Sequence, residues 1–376
     1  MFIYDNWYVA ALTTEVNSEK PLARMIVGKP MVFFRTDEGQ VAALEDRCMH
    51  RGMPLSAGPI CNKGRSLQCP YHGLEFDITG ACVKAPSQTS IPRNMQVLTY
   101  PVVERDSFVW VWTGDPEIAD PATIPRTTLG EPDTFGTFNL AHIEYKADWK
   151  LIYDNVMDLT HLAYVHTVVN GDVQANVEAK LTISTDDDGK RVSFVRKLPD
   201  SIPADQYKMG FDFKGNCDRW QEIECSASGM LIWTGAMDVG CGALDGNAGA
   251  METKRTGGFQ LVSYHAITPS TEGNAHYFAS GHVNVHLGNE EVFAKMREGQ
   301  MTTLYEDRVI LEPQQARLNE TPGRPVVSLA ADAAGLAVRR MFKKLLTAEM
   351  EKKAPPRPAR SSGHQDLMVE LTGGAR

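Results

Sequence analysis

The chain has 376 residues, with 38 basic and 47 acidic side chains and a formal net charge of −9 at neutral pH. That acidic balance excludes broad binding to nucleic acid or anionic membrane, and no window approaches the ~18 consecutive apolar residues of a membrane span. The opening Met-Phe-Ile-Tyr-Asp-Asn-Trp has neither a basic region nor a long apolar run, so the expectation is a soluble, cytoplasmic protein of two or three domains.

Residues 1–115 read as short strands separated by turn chemistry. Trp7–Leu12 comes first, Arg24–Val27 and Met31–Phe34 flank a turn at Gly28-Lys29-Pro30, and Val41–Leu44 follows. Leu74–Phe76, Cys82-Val83 and Phe108–Trp112 complete the series. Runs this short, punctuated by Gly, Pro and Asp, predict a small all-β domain. The stretch 116–140, with Pro116, Pro121 and Pro125, reads as a connector. From Asp148 to His166 the apolar residues Trp149, Ile152, Val156, Leu159 and Ala163 recur at three or four, which predicts a helix. Strand-like runs return over 180–287, a helix is predicted over 290–318, and a final helix over Ala330–Glu351. A flexible tail covers 352–376. The fold class is therefore α+β, with domains at 1–115 and 141–351.

Seven cysteines are too few for a disulfide scaffold, and the odd number argues against full pairing. Four of the Cys and His residues nevertheless fall at metal-ligand spacing. Cys48-Met-His50 and Cys69-Pro-Tyr-His72 each supply one thiolate and one imidazole, with eighteen residues between the pairs. A structural Cys₂His₂ zinc site and a Rieske [2Fe–2S] cluster are the two readings. Zinc fingers group Cys with Cys and His with His; the mixed pairing here is what an asymmetric two-iron cluster needs. Cys61, Cys82, Cys217, Cys225 and Cys241 read as ordinary small residues.

A second group lies on the 148–166 helix. Asn155, Asp158 and His161 follow one another at i+3 steps among apolar neighbours, so all three point into a packed region. His166, five residues past His161, lies about 140° round an ideal helix, and joint ligation with His161 requires the helix to end or bulge. Two His and a carboxylate make the facial triad of non-haem Fe(II) oxygenases. Asp307, three after Leu304 and four before Leu311, supplies a carboxylate on an apolar stripe, where it needs a metal or cation. Glu306 is expected to face solvent.

The flanks of both groups carry a resemblance. Cys-Met-His-Arg-Gly-Met-Pro-Leu, Cys-Pro-Tyr-His-Gly-Leu-Glu-Phe-Asp and D-x-x-H-x-x-x-x-H with a distant Asp closely resemble the motifs of Rieske non-haem iron oxygenases. Asn6–Ala11, Val109–Trp112 with Gly114-Asp-Pro, and Asp154–His166 are similar to the subfamily of vanillate, dicamba and toluenesulfonate monooxygenases. The resemblance implies a Rieske domain joined to a helix-grip-like antiparallel sheet flanked by helices. Cys48 and Cys69 would hold the inner cluster iron, His50 and His72 the outer one, and His161, His166 and Asp307 the mononuclear iron, with Asn155 close by. Asp158 would join His161 to the His72 of a neighbouring protomer, in a closed ring that is expected to be a homotrimer.

It also implies a terminal oxygenase component that takes O₂ and electrons from a separate NAD(P)H-dependent flavin or ferredoxin reductase. No nucleotide-binding glycine motif or plant-type ferredoxin spacing is present in this chain. The implied reaction is hydroxylation of a methyl group, or oxidative O-demethylation of a methoxy group, on an aromatic acid. Ring hydroxylation and N-demethylation are alternatives within the same machinery; a zinc-stabilised binding module is the alternative outside it. Trp233, His265, His282 and His286 are candidates for the substrate pocket, and Arg47, Arg51, Lys63 and Arg65 for docking an acidic electron donor.

Overall fold

Ten short strands occupy the first 112 residues, bounded by the Gly, Asp and Asn residues that tolerate chain reversal. The computed structural model describes residues 1–130, 133–166, 172–245, 251 and 255–352; all but the first residue of the 352–376 tail lies outside them. The strands are β1 (Trp7–Leu12), β2 (Leu22–Ile26), β3 (Lys29–Arg35), β4 (Val41–Glu45), β5 (Ile60–Cys61), β6 (Ser66–Gln68), β7 (Glu75–Asp77), β8 (Cys82–Lys84), β9 (Val102–Arg105) and β10 (Phe108–Trp112). They form antiparallel sheets in the orders β1-β10-β9, β2-β3-β4 and β5-β6-β7-β8. The β2–β3 reversal falls on Val27 and Gly28, both at positive φ, and not on Gly28–Pro30. Ile26 pairs with Lys29, so a two-residue loop suffices and Lys29 and Pro30 open β3.

A seven-stranded antiparallel sheet follows, built from β11 (Gly136–Tyr145), β12 (Lys180–Thr185), β13 (Val192–Ser201), β14 (Cys217–Ser226), β15 (Gly229–Asp238), β16 (Phe259–Thr271) and β17 (Asn274–Val283), in the order β11-β17-β16-β15-β14-β13-β12. Residues 136–140, read above as connector, are the first half of β11. Gly136 pairs with Val283, and Phe138 is buried against Phe293. Among the described residues six helices accompany this sheet: α1 (Trp149–Met157), α2 (Leu162–Val165), α3 (Val173–Glu178), α4 (Asp205–Lys208), α5 (Glu290–Glu320) and α6 (Ala333–Glu351). None is long and apolar enough to cross a membrane.

Alternation along the strands gives the sheet two different apolar faces. Trp220, Trp233, Val262, Tyr264 and Phe278 pack on Trp7, Trp110 and Trp112 of the N-terminal strands. Gly235 makes this possible, because a Cβ there would lie 2.3 Å from the Trp220 ring. The opposite face, with Ile223, Met230, Ile267 and Tyr277, packs on α1, α5 and α6. Trp149 and Phe342 close that layer with ring centroids 4.6 Å apart.

Candidate metal centres and active-site cavity

The Cys48 and Cys69 loops share one backbone design. Cys48 N–H donates to the Met53 carbonyl (2.8 Å) and Cys69 N–H to that of Leu74 (2.7 Å), while Gly52 and Gly73 N–H donate back to the carbonyls of Cys48 (2.9 Å) and Cys69 (3.0 Å). Gly52 and Gly73 have φ of +73° and +71°, a conformation in which a side chain is strained. The loops bury both thiols and leave His50 and His72 exposed, their rings 4.5 Å apart. Burial pushes the Cys48 thiol up to about 11, with Cys69 adding to the effect, so a thiolate here needs a bound cation. Burial also lowers His50, followed by the nearby His72, which favours the neutral, ligating imidazole. Two buried sulfurs and two exposed imidazoles fit a [2Fe–2S] cluster with a buried and an outer iron. Arg47 and Arg51 flank this site, and Arg47 lies along Gly52. Lys63 and Arg65 instead occupy the β5–β6 hairpin at the far end of β6 from Cys69, where Arg65 pairs with Glu38.

The second centre depends on an interruption of the predicted helix. α1 stops at Asp158 (φ −113°, ψ 88°), whose carboxylate accepts from Thr160 N–H (2.9 Å) and hydroxyl (2.7 Å) to start a 3₁₀ turn over Leu159–His161. After α2 the chain turns out again at His166 (φ −106°, ψ 51°). These breaks let His161 and His166 converge on Asp307, in the middle of α5. Asp307 Oδ1 lies 3.5 Å from His161 Nε2 and 3.2 Å from His166 Nε2, and the three ligand atoms lie within 4.8 Å of one another.

Each imidazole is held from behind. His161 Nδ1 bonds the Asp158 carbonyl, and His166 Nδ1 bonds Glu306 Oε2 at 2.7 Å. With Nδ1 committed to an acceptor, each ring turns its Nε2 lone pair inward, the tautomer a metal requires. Glu306 therefore does not simply face solvent: its position on α5 carries it to the flank of His166, where it is half-buried. Asn155 donates to Asp307 Oδ1 at 3.3 Å. Burial lowers His161. At His166 burial also acts downward, but Asp307 and Glu306 outweigh it and raise the group. Two imidazoles and one carboxylate converging in a buried site fit mononuclear iron.

A cavity of about 170 Å³ opens beside these three residues, between the helices and the helix-facing side of the sheet. His265 lines it, bonded to Ser263 Oγ (2.8 Å) and to the Tyr277 hydroxyl. Trp233, His282 and His286 do not line it. Trp233 alternates with Ile232 and Thr234, and His282 pairs with Val262, so both belong to the other face; His286 lies beyond β17 and bonds the Met209 carbonyl. Arg219, Gln221 and Thr234 line the cavity and were missed in the sequence reading. Counting parity along β14 and β15 from Trp220 and Trp233 would have found them, had the face carrying the tryptophans been known. A larger cleft of about 1270 Å³ shares no lining residue with this cavity. His142, Glu144 and His276 also bring ligand atoms within 4.8 Å of one another, on the sheet face that meets Glu15 and Met25.

Comparison with known proteins agrees along the chain. The Rieske [2Fe-2S] domain model matches residues 6–101, and that of the vanillate O-demethylase oxygenase C-terminal domain matches residues 145–348. The toluene-4-sulfonate monooxygenase system iron-sulfur subunit of Comamonas testosteroni is 35% identical over 94% of this chain and 100% of its own length. The dicamba O-demethylase oxygenase component of Stenotrophomonas maltophilia is 34% identical over 92% of this chain and 98% of its own. The crystal structure of dicamba monooxygenase bound to dicamba superposes with a TM-score of 0.81 at 33% identity, covering 93% of this chain and 99% of that one. The chain thus belongs to the Rieske oxygenases that join a Rieske [2Fe-2S] domain to a vanillate O-demethylase-type oxygenase C-terminal domain.

Proposed function

We propose that this protein is the terminal oxygenase of a system that oxidises a methyl or methoxy substituent of a small aromatic acid, with O₂ as co-substrate and electrons from a separate NAD(P)H-dependent reductase. Cys48, His50, Cys69 and His72 hold the [2Fe–2S] cluster; His161, His166 and Asp307 hold mononuclear Fe(II). When bound, the cluster supplies single electrons and the mononuclear iron supplies O₂ activation. The observation that carries the reading is the convergence of His161 Nε2, His166 Nε2 and Asp307 Oδ1 beside a cavity sized for one ring.

The chain's own residues do the remaining work. The Asp158 carbonyl and Glu306 fix the two imidazoles, and Asn155 orients the Asp307 carboxylate. Ile232, Leu261 and Leu304 exclude water from the cavity wall. We also place the protein in the cytoplasm as a homotrimer, in which the Asp158 carboxylate of one protomer meets His72 of the next. The exposure of His72 and the partial exposure of Asp158 support that contact.

The test combines metal analysis with turnover. The purified protein is expected to be brown with three irons per chain, and with a reductase it should consume oxygen on methyl- or methoxy-substituted benzoates and sulfonates. Formaldehyde release marks demethylation, and a benzylic alcohol marks methyl hydroxylation. A colourless zinc protein, or oxygen uptake indifferent to every aromatic acid, would sink the proposal.

A further inference from the structure

The edge of the large sheet carries another group of ligand-type side chains. His142 and Glu144 are two apart on β11 and so share a face, and His276 on β17 pairs directly with Glu144. That face also carries Phe278, which stacks on the His142 ring at 4.3 Å and packs with the N-terminal tryptophans. Tyr145 and Tyr277 alternate with these residues and face the helices, and Tyr277 lines the active-site cavity. The sheet therefore stands between this group and the mononuclear centre. Because β11 is an edge strand, Glu144 is exposed while the two imidazoles are largely covered.

The hydrogen bonds fix where the imidazole protons sit. His142 Nδ1 lies 3.3 Å from Glu15 Oε1, a carboxylate that also pairs with Arg24. A carboxylate only accepts, so Nδ1 carries the proton. His276 Nε2 lies 3.1 Å from the Met25 carbonyl, likewise only an acceptor, so Nε2 carries the proton of that ring. In the neutral rings the remaining nitrogens, His142 Nε2 and His276 Nδ1, are both lone pairs, and they face each other at 3.2 Å. Two lone pairs at that distance repel unless something positive lies between them. Glu144 Oε1 stands 3.8 Å from His276 Nδ1, and the three ligand atoms lie within 4.8 Å of one another.

This spacing suits a metal ion. Zn–N bonds of about 2.0–2.1 Å in a tetrahedral site hold two nitrogens about 3.3 Å apart. Bringing Glu144 into range takes a small swing of an exposed side chain. Both imidazoles already have the outer acceptor that ligating histidines use, a carboxylate behind one and a backbone carbonyl behind the other. A proton would occupy the lone pairs and leave the Glu144 carboxylate idle; an ion uses all three groups.

We propose that His142 Nε2, His276 Nδ1 and the Glu144 carboxylate bind one divalent cation of the zinc class, with water as a further ligand, at a site that shares no residue with either iron centre. Its role is structural. Glu15 follows β1 and Met25 lies on β2, so an ion that polarises the two imidazoles tightens the seam between the Rieske domain and the large sheet.

The test uses the full-length, iron-loaded protein, dialysed against micromolar zinc and then against zinc-free buffer, with zinc and iron counted per chain by mass spectrometry. The parent is expected to retain one zinc more than His276→Gln. Zinc should also raise the thermal midpoint of the parent and not that of the variant. Iron counted in the same samples separates this zinc from any that has displaced iron. Glu144→Ala changes an exposed side chain and leaves the buried contacts intact, so it carries the test even if His276→Gln fails to fold. Its zinc affinity should fall by at least about tenfold, since loss of a mere outer partner already costs that much. Equal zinc retention by the parent and His276→Gln overturns the proposal, as does an unchanged affinity in Glu144→Ala. A parent that takes up no zinc beyond the iron it displaces also overturns it, and leaves a shared proton as the occupant between the rings. None of these outcomes bears on the oxygenase reading, which turnover decides.

Discussion

A buried imidazole that presents Nε2 to a metal must place its Nδ1 proton on an acceptor, and for His166 that acceptor is Glu306. Removing such a partner typically weakens metal binding by about 10–100-fold. Glu306→Ala is therefore expected to lose mononuclear iron on dialysis against a chelator, whereas Glu306→Gln, which keeps an acceptor oxygen, should lose less. The visible spectrum of the cluster is the internal control, since Glu306 lies on α5 and the cluster residues lie before β7. Equal iron retention in the Ala variant and the parent would remove Glu306 from the site. Asp307 was legible in the sequence because a carboxylate on an apolar stripe demands a partner. Glu306 was not, because its partner is 140 residues distant in the chain and a helical wheel separates the two acids without showing what packs beside each.

Two local backbone devices set the ligand geometry. In the Cys69 loop a Cβ on Gly73 would lie 3.1 Å from Pro86 Cγ, in a backbone already at φ +71°; on Gly52 the nearest atom is the movable Arg47 Nε at 3.5 Å. A left-handed non-glycine residue costs roughly 1–2 kcal/mol, so both Gly→Ala variants should hold less cluster, and Gly73→Ala the less of the two. Absorbance of the cluster per chain measures this, and the reverse order would refute the steric account. At the other centre, Asp158 caps the 3₁₀ turn that brings His161 round. Asp158→Ala should cost about 1 kcal/mol of stability, while Asp158→Asn, also a good cap, should cost little. If the proposed contact with His72 of the next protomer holds, both variants should stay loaded with metal and both should stop turnover. Normal turnover in the Asn variant would count against a bridging charge. The glycines and the cap residues are visible in the sequence, and the requirement for a helix end near His166 followed from the spacing of two histidines. The interruption at Asp158 did not, since apolar periodicity runs straight through it to Leu159 and Ala163.

At the scale of the whole molecule, strand existence was largely legible and sheet faces were not, because alternation marks two classes of residue without saying which class meets which layer. Here both faces are apolar: one receives the N-terminal tryptophans, the other the helices. The N-terminal strands are fastened to this sheet by polar contacts as well. Thr268 Oγ1 donates to the Val9 carbonyl (2.7 Å), and His276 Nε2 donates to that of Met25 (3.1 Å). His276 Nδ1 meets His142 Nε2 at 3.2 Å, and His142 Nδ1 meets Glu15 Oε1 at 3.3 Å. Burial, with His142 and Arg24 adding, holds His276 down to about 4, against about 6.5 in an unfolded chain. A histidine with a depressed folded-state pKa takes up its proton more readily when unfolded. Its contribution to stability is therefore complete above about pH 6.5 and is lost as pH falls toward 4. Between pH 7.5 and 5 the loss from this one group is about 2 kcal/mol, at 1.36 kcal/mol per unit. Glu15 acts in the same direction but later: burial opposes its ionisation, yet His142, the Leu12 N–H and Arg24 hold it to about 2, so its share disappears below about pH 4.5. His276→Gln keeps a donor for the Met25 carbonyl and removes the titration. The thermal midpoint of that variant should fall less between pH 7.5 and 5 than the parent's, and parallel declines would show that acid loosens the molecule somewhere other than this junction.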